Sequence, residues 1–300
     1  MVLHSPGGLS MGHVRLPANL VAARGGEGGR AEWLRRLPDV IAELSARWSL
    51  RLGDPFQPGG QTAWVAPAVS DTYGDVVLKV GWRHMESEDE AAGLRAWDGR
   101  GAVRVFADER RDRTSALLLE RCLPGTMLKD RPEDEQDEVV AGLLHRLWQT
   151  PADPTPFRPL QAMCEYWADH FEQKVAAGKV RMDPALAAEG VGLFRTLPAT
   201  AEKAVLLCTD LHAENVLAAT REEWLAIDPK PFVGDPTYDA LQHLLNCPDR
   251  LRADPRVLVA RVADLLALDA ERLCVWLFAR CIVETGTWPW ALEVARAVRP

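Results

Sequence analysis

Val205-Leu206-Leu207-Cys208-Thr209-Asp210-Leu211-His212-Ala213-Glu214-Asn215-Val216-Leu217, followed by Trp224-Leu225-Ala226-Ile227-Asp228-Pro229-Lys230 and Gly234-Asp235-Pro236, is the stretch that decides the fold. Val205 to Leu207 is a short apolar run and reads as a buried strand, with a loop beginning at Asp210. Asn215 opens a second apolar run, 216–219, and Trp224 to Ile227 is a third, ending at Asp228. The polar residues Thr220 to Glu223 between them predict a β-hairpin with a four-residue loop. In that register Val216 lies opposite Ile227, and Asn215 opposite Asp228. The mouth of the hairpin then carries an amide oxygen beside a carboxylate. Mg²⁺ prefers such hard oxygen donors and takes only one or two from protein when phosphates and waters complete its shell. Asp210, five residues before Asn215, is near enough to orient a hydroxyl at the same mouth. Taken singly, an Asp before a turn is a cap and an Asp-Pro is a loop. The three together, on one strand–loop–hairpin, favour chemistry.

Working outward, the N-terminal part reads as strands. Apolar spacing at Leu34, Leu37, Ile41, Leu44 and Trp48 predicts an amphipathic helix over 32–48, with Pro38 near its start. Residues 48–52, 62–69, 75–80, 103–106 and 115–120 read as five strands, with turns at 53–61, 70–74 and 108–113. Gly59 and Gly60 either let backbone N–H groups approach phosphates or simply close a hairpin. Lys79 places a charge inside the apolar strand Val76 to Val80; a solvent-facing lysine on an edge strand is the competing reading. Glu86 to Trp97 predicts a helix with Ala91, Leu94 and Trp97 inward. From Glu133 the pattern is helical: one long helix through Leu147, then 160–177 (with Tyr166, Trp167, Phe171 and Val175), 184–197, 238–245, 257–266, 270–285 and a short 290–298.

The chain of 300 residues is long enough for one large domain or two lobes. No apolar run reaches membrane-spanning length, and the first 19 residues lack the apolar core of a secretory signal. The six cysteines are scattered without a Cys-x-x-Cys pair, which argues for a reducing, cytoplasmic setting over zinc or a disulfide framework. His145, His170 and His243 lack metal-ligand spacing. The net charge of −8 offers no basic face for nucleic acid. It suits a cationic small molecule, through steering.

The Asp-x-x-x-x-Asn spacing followed by a strand-ending Asp matches the phosphoryl-transfer core of protein kinases. Thr209 to Leu217, Ile227-Asp228-Pro229-Lys230-Pro231 and Gly234-Asp235-Pro236-Thr237-Tyr238-Asp239 resemble a narrower group, the aminoglycoside phosphotransferases, in their streptomycin 6-kinase and hydroxyurea phosphotransferase branch. The resemblance runs from about Trp48 to the C-terminus, with one departure: Cys208 stands where such kinases carry His. It implies an α+β, protein-kinase-like two-lobed fold. The expected division is a glycine-rich, flexible segment over 1–30, a small antiparallel N-lobe over 31–122 and a larger, mainly helical C-lobe over 123–300.

The resemblance further implies ATP and Mg²⁺. By that resemblance Asp210 would be the catalytic base, Asn215 and Asp228 would hold the metal, and Lys79 would contact the phosphates. Glu90 is its ion-pair partner, with Glu86 and Glu88 as alternatives. The Glu120 carbonyl and Cys122 N–H bind adenine at a hinge. Asp235 braces the loop. His212 meets substrate or shapes the loop, and Asp169, Glu172 and Glu284 are candidates to receive a cationic antibiotic; each acid could equally be a solvated helix residue. The expected product is a phosphorylated aminoglycoside, streptomycin at its 6-hydroxyl first, from a monomer or weak dimer needing no membrane or nucleic acid. The alternatives are a kinase of another small hydroxylated molecule such as hydroxyurea, and a non-catalytic nucleotide-binding relic.

Overall fold

The structure, a computed structural model, describes residues 14–23, 28–151 and 157–300. The chain divides into two compact units. One comprises the described residues up to His84 together with Val105–Arg121; the other comprises Met85–Arg104 and Cys122–Pro300.

The first unit is built on an antiparallel sheet of β1 (Leu50–Leu52), β2 (Ala63–Ser70), β3 (Gly74–Trp82), β4 (Val105–Arg111) and β5 (Thr114–Glu120), in the order β1-β2-β3-β5-β4. Alternation buries Trp64 and Ala66 of β2 and Leu78 and Val80 of β3. Against them packs helix α2 (Arg30–Arg47), through Trp33, Leu34, Leu37, Ile41 and Leu44. Each such aliphatic side chain contributes about 1.5–3 kcal/mol on burial, so this stripe fixes the helix on the sheet. The helix starts two residues earlier than its apolar spacing suggests, which leaves Pro38 in its interior.

Two sequence expectations change here. The charged segment 108–113 is mostly strand, not turn. Glu109 and Arg111 are paid for in β4 by partners on α2: Arg47 Nη1 lies 2.6 Å from Glu109, and Arg111 Nη1 2.6 Å from Glu43. Part of the first thirty residues, expected to be flexible, also packs on this sheet. Helix α1 (Ala18–Ala22) drops Leu20 into the core, and Arg15 accepts a hydrogen bond from Trp64 Nε1 at 2.9 Å. Residues 1–13 and 24–27 lie outside the described residues. The glycine-rich connection is tied to the same segment, since Asn19 donates to the carbonyls of Pro58 and Gly59. Gly59 has φ +74°, and a Cβ there would come within 2.4 Å of Pro17, so glycine is required.

The second unit is mainly helical: α3 (Glu90–Trp97), α4 (Glu133–Trp148), α5 (Leu160–Ala176), α6 (Pro184–Thr196), α7 (Pro236–Leu245), α8 (Pro248–Ala253), α9 (Pro255–Leu266), α10 (Ala270–Glu284) and α11 (Ala291–Val298). Asp183, Asp235 and Asp254 each cap a helix whose first residue is proline, the pairing that satisfies an N-terminal N–H while fixing φ. Almost every residue of α10 beyond its first turn is buried, so it forms the centre of this unit. Val175 of α5 is exposed. Asp137 of α4 is fully buried and binds His243 of α7, Arg250 of α8 and Arg261 of α9. Among the described residues, no helix is long and apolar enough to cross a membrane.

The segment 85–104 belongs to this unit, so the chain does not divide by one cut at 122. Asp89 pairs with Arg158 at 2.9 Å, Arg221 binds the carbonyls of Gly99 and Ala102, and a Cβ on Gly93 would strike Pro231 at 2.2 Å. The helix begins at Glu90 rather than Glu86, because Met85–Ser87 form a separate 3-10 turn.

Two small strand pairs complete the unit. β6 (Val205–Leu207) pairs antiparallel with β9 (Phe232–Gly234), and β7 (Val216–Ala218) forms a hairpin with β8 (Trp224–Ala226). The hairpin register differs by one residue from the expected one: Val216 faces Ala226, not Ile227. The loop spans 219–223 and is closed by Ala219 N–H donating to the Glu223 carbonyl at 3.2 Å. Asn215 therefore meets Ile227, whose N–H donates to it at 2.9 Å, and Asp228 lies one step past the ladder.

Candidate active site

The site begins where β6 ends. Thr209 has φ +51°, a left-handed conformation that costs a branched residue of order 1–3 kcal/mol unless its surroundings fix it. They do. The Cys208 and Thr209 N–H groups donate to the two oxygens of Asp239, at 3.0 and 2.6 Å. The Thr209 hydroxyl donates to the Lys230 carbonyl, and the Lys230 N–H donates to the Cys208 carbonyl at 2.8 Å. Asp239 stands on α7 and also accepts from Trp148 Nε1 at 2.9 Å. Asp235 is the N-cap of α7 and is itself held by Arg272 and Trp276. The acid that braces the loop directly is thus Asp239, with Asp235 anchoring the helix that carries it.

That frame presents Asp210. One oxygen accepts from Gln242 Nε2 at 2.8 Å, and the other lies 2.7 Å from Lys230 Nζ. Asn215 Nδ2 donates to the Asp210 carbonyl at 3.0 Å, with Oδ2 at 3.4 Å. Burial raises the Asp210 carboxyl above its ordinary range, against the pull of Lys230. His212 Nε2 is 4.0 Å from Asp210, and burial pushes its imidazole down to about 4, so it is neutral near pH 7. His212 also lines a cavity of about 330 Å³ with Lys129, Glu214 and Arg250.

Asp228 has φ +53° and its charge acts on Asp210, His212 and Lys230. The structure therefore brings Asp210, Asn215 and Asp228 together, despite the shifted register. Because the Asn215 amide nitrogen is committed to Asp210, its oxygen is the end left for a cation. Among the described residues, no group of three or more His, Cys, Asp or Glu side chains is disposed to hold a metal unaided. The Asn215–Asp228 pair fits a Mg²⁺ that takes the rest of its shell from phosphate oxygens and water.

The other expected residues fall as follows. Lys79 is half-buried on β3, the central strand, opposite Val65 and Leu117, which removes the edge-lysine reading. Glu90 is the buried first residue of α3, Glu120 closes β5, and Cys122 is buried just beyond it. Asp169 and Glu172 share Arg195 with Glu165, at 2.6, 2.8 and 3.0 Å respectively. Glu284 is buried and paired with Arg280 at 2.7 Å. All three acids expected to receive a cation thus already hold an arginine.

A further acid, Glu86, reaches this cluster through Lys230, lying 3.9 Å from Lys230 Nζ and bonded to Trp167 Nε1 at 3.2 Å. Lys230, Gln242 and Asp239 were not singled out from the sequence. Lys230 and Asp239 stand inside the quoted motifs, and only the long-range contacts distinguish them.

A profile of the family described as aminoglycoside/hydroxyurea antibiotic resistance kinase matches residues 55–292. The chain belongs to this family. It is 35% identical to a streptomycin 6-kinase of Streptomyces griseus over 92% of this chain and 91% of that one. It is 38% identical to a hydroxyurea phosphotransferase of Kitasatospora aureofaciens over 92% and 80%. Among solved structures, an aminoglycoside phosphotransferase in ternary complex with ADP and hygromycin B superposes with a TM-score of 0.58 at 14% identity, covering 87% of this chain and 97% of that one. A choline kinase from Streptococcus pneumoniae gives 0.60 at 12% identity, covering 88% and 97%. These establish the kinase-like fold. As a member of an antibiotic resistance kinase family, the protein is a small-molecule kinase. Asp239 holds position 208 through the backbone N–H, an interaction that does not depend on the Cys208 side chain.

Proposed function

We propose that the protein transfers the γ-phosphoryl group of ATP, as its Mg²⁺ complex, to a hydroxyl of an aminoglycoside, streptomycin at the 6-position first, and so inactivates the antibiotic. The observation that carries this reading is the buried Asp210, held on both oxygens beside Asn215 and Asp228. Asp210 aligns the acceptor hydroxyl and accepts its proton. Asn215 and Asp228 would hold Mg²⁺, which when bound neutralises phosphate charge. Lys79, Glu90, Glu120 and Cys122 keep the nucleotide roles that the resemblance implies. Such a centre works by positioning and electrostatics rather than by covalent chemistry on the protein.

A cationic acceptor is supported by the net charge of −8 and by Glu86, whose charge acts on Asp210 across Lys230. A small neutral acceptor is the second reading, supported by the 38% identity to a hydroxyurea phosphotransferase. The experiment incubates purified protein, ATP and Mg²⁺ with streptomycin and, separately, hydroxyurea. Product is identified by mass and its position by NMR. Streptomycin is expected to be phosphorylated at one hydroxyl, with a KM that rises with salt, since exposed charge pairs are screened beyond about 8–10 Å at 0.1–0.15 M. Turnover of hydroxyurea with none of streptomycin reverses the order of the two readings.

A further inference from the structure

The transferring phosphoryl group spreads negative charge over three equatorial oxygens, and enzymes that carry it place cations there. The loop from Asp210 to Asn215 contains no lysine or arginine. A cation does reach the loop, from the segment after Asp228. Lys230 has both backbone groups fixed, its N–H on Cys208 and its carbonyl on Thr209. It stands between Pro229 and Pro231, whose rings lock φ on either side. Pro231 in turn packs where Gly93 of α3 has no side chain. This is a built position, unlike that of a surface lysine.

The ammonium has three donors. Asp210 Oδ2 takes one at 2.7 Å; Glu86, steadied by Trp167, lies at 3.9 Å, outside hydrogen-bond range. Asp210 does not depend on Lys230 for its orientation, because Gln242 holds the other oxygen and Asn215 holds the adjoining carbonyl. The acceptor oxygen must lie roughly 2.6–3.2 Å from an Asp210 oxygen to lose its proton. The phosphorus must stand about 3–3.5 Å from that acceptor oxygen. An ammonium already touching Asp210 reaches the equatorial oxygens by turning its own side chain.

We propose that Lys230 is a further catalytic residue, whose ammonium rests on Asp210 and beside Glu86 before reaction and moves onto the transferring phosphoryl group. The acceptor oxygen bonds to the γ-phosphorus as the bond to the β–γ bridging oxygen breaks, leaving that electron pair on ADP. The hydroxyl proton passes to Asp210. Lys230 keeps its proton throughout and supplies charge only. This rests on the kinase reading above.

The test compares wild type with Lys230→Met and Lys230→Arg, in turnover and in calorimetric binding of ADP with Mg²⁺, with and without aluminium fluoride as a mimic of the planar phosphoryl group. For Lys230→Met, kcat is expected to fall about 10²–10³-fold, the range for removing one such charge-stabilising group. ADP affinity should stay unchanged, while the extra affinity conferred by aluminium fluoride is lost; Lys230→Arg should recover part of both. Alkylating Lys230→Cys with bromoethylamine, which restores an ammonium at nearly the same reach, should recover turnover. An unchanged aluminium fluoride gain in Lys230→Met, or parallel loss of ADP affinity and melting temperature, overturns the proposal. Failure of wild type itself to bind ADP would instead overturn the kinase reading, and this proposal with it.

Discussion

Asp137 and Asp210 are both buried carboxylates in the helical unit, and both touch cations, yet their environments push them in opposite directions. Asp137 receives Arg250 at 2.9 and 2.7 Å, Arg261 at 2.7 Å, and His243 at 2.8 Å. Burial presses its carboxyl upward, but these partners win and hold it well below the usual carboxylate range. Asp210 has one ammonium on a flexible stem, and its other close partners are the neutral amides of Gln242 and Asn215. There burial wins, and the carboxyl is raised. The difference lies chiefly in the number of charged donors. A carboxylate saturated by guanidinium groups has nowhere to seat a proton, and it staples helices. One held mainly by amides can still accept a proton.

The largest effect should follow from replacing the carboxylate that accepts. Asp210→Asn keeps the shape and the Gln242 side of the site but removes the proton acceptor. Turnover is expected to fall by about 10²–10⁴-fold, with ADP affinity and melting temperature close to wild type. Near-normal turnover measured on the purified variant would remove Asp210 as the base and erase the contrast with Asp137. The complementary change is Asp137→Ala, which strands His243 and two arginines around an empty position. Denaturant unfolding should show a loss of about 3–5 kcal/mol, the scale for breaking a buried charge cluster by removing one member. Turnover per folded molecule should be retained. A variant that stays stable but loses kcat would make Asp137 part of the machinery, and the comparison would fail from the other side.

Much of this was legible in the sequence because it was local. Five strands, the long helices and the Asp210–Asn215–Asp228 spacing each announce themselves within a few residues. The hairpin register was missed by one because the apolar run to Ile227 continues past the last paired residue, Ala226, and the polar stretch understates the loop. The arginine partners of the candidate acceptor acids, Arg195 and Arg280, stand on other turns or helices and leave no mark in the spacing of the acids themselves. Lys230, Gln242 and Asp239 act on residues about 20–30 positions away, through contacts that no periodicity encodes. Asp137 follows Glu133, Asp134 and Glu135 at the start of α4, and nothing in that run of acids marks it out.

Asp239 falls between the two extremes, and it gives the smallest and most discriminating test. It is fully buried like Asp137, but its donors are neutral: the indole of Trp148 and the N–H groups of Cys208 and Thr209. Burial raises its carboxyl to about 6, against the pull of those three donors. Once protonated it cannot accept from all of them, and the left-handed turn at Thr209 loses part of what holds it. Activity should therefore fall as pH drops through about 6, by roughly tenfold one unit lower, where only about a tenth of the group remains ionised.

Stability should move the other way. A group whose folded-state pKa lies above its unfolded value contributes stability that is fully present below the unfolded value, here 3.8, and is lost as pH rises through about 6. Asp137 has the opposite sign: its contribution is present above 3.8 and is lost only as pH falls through its depressed value, so it is silent between about pH 7 and 5. The measurements are kcat and melting temperature against pH, for wild type and Asp239→Asn. Relative to the variant, wild type should gain melting temperature and lose activity as pH is lowered across this range. An acid limb that persists unchanged in Asp239→Asn belongs to Asp210. A wild type whose melting temperature, relative to the variant, falls together with its activity would mean that the three N–H donors outweigh burial, and Asp239 would then join Asp137 among the carboxylates that only hold the fold.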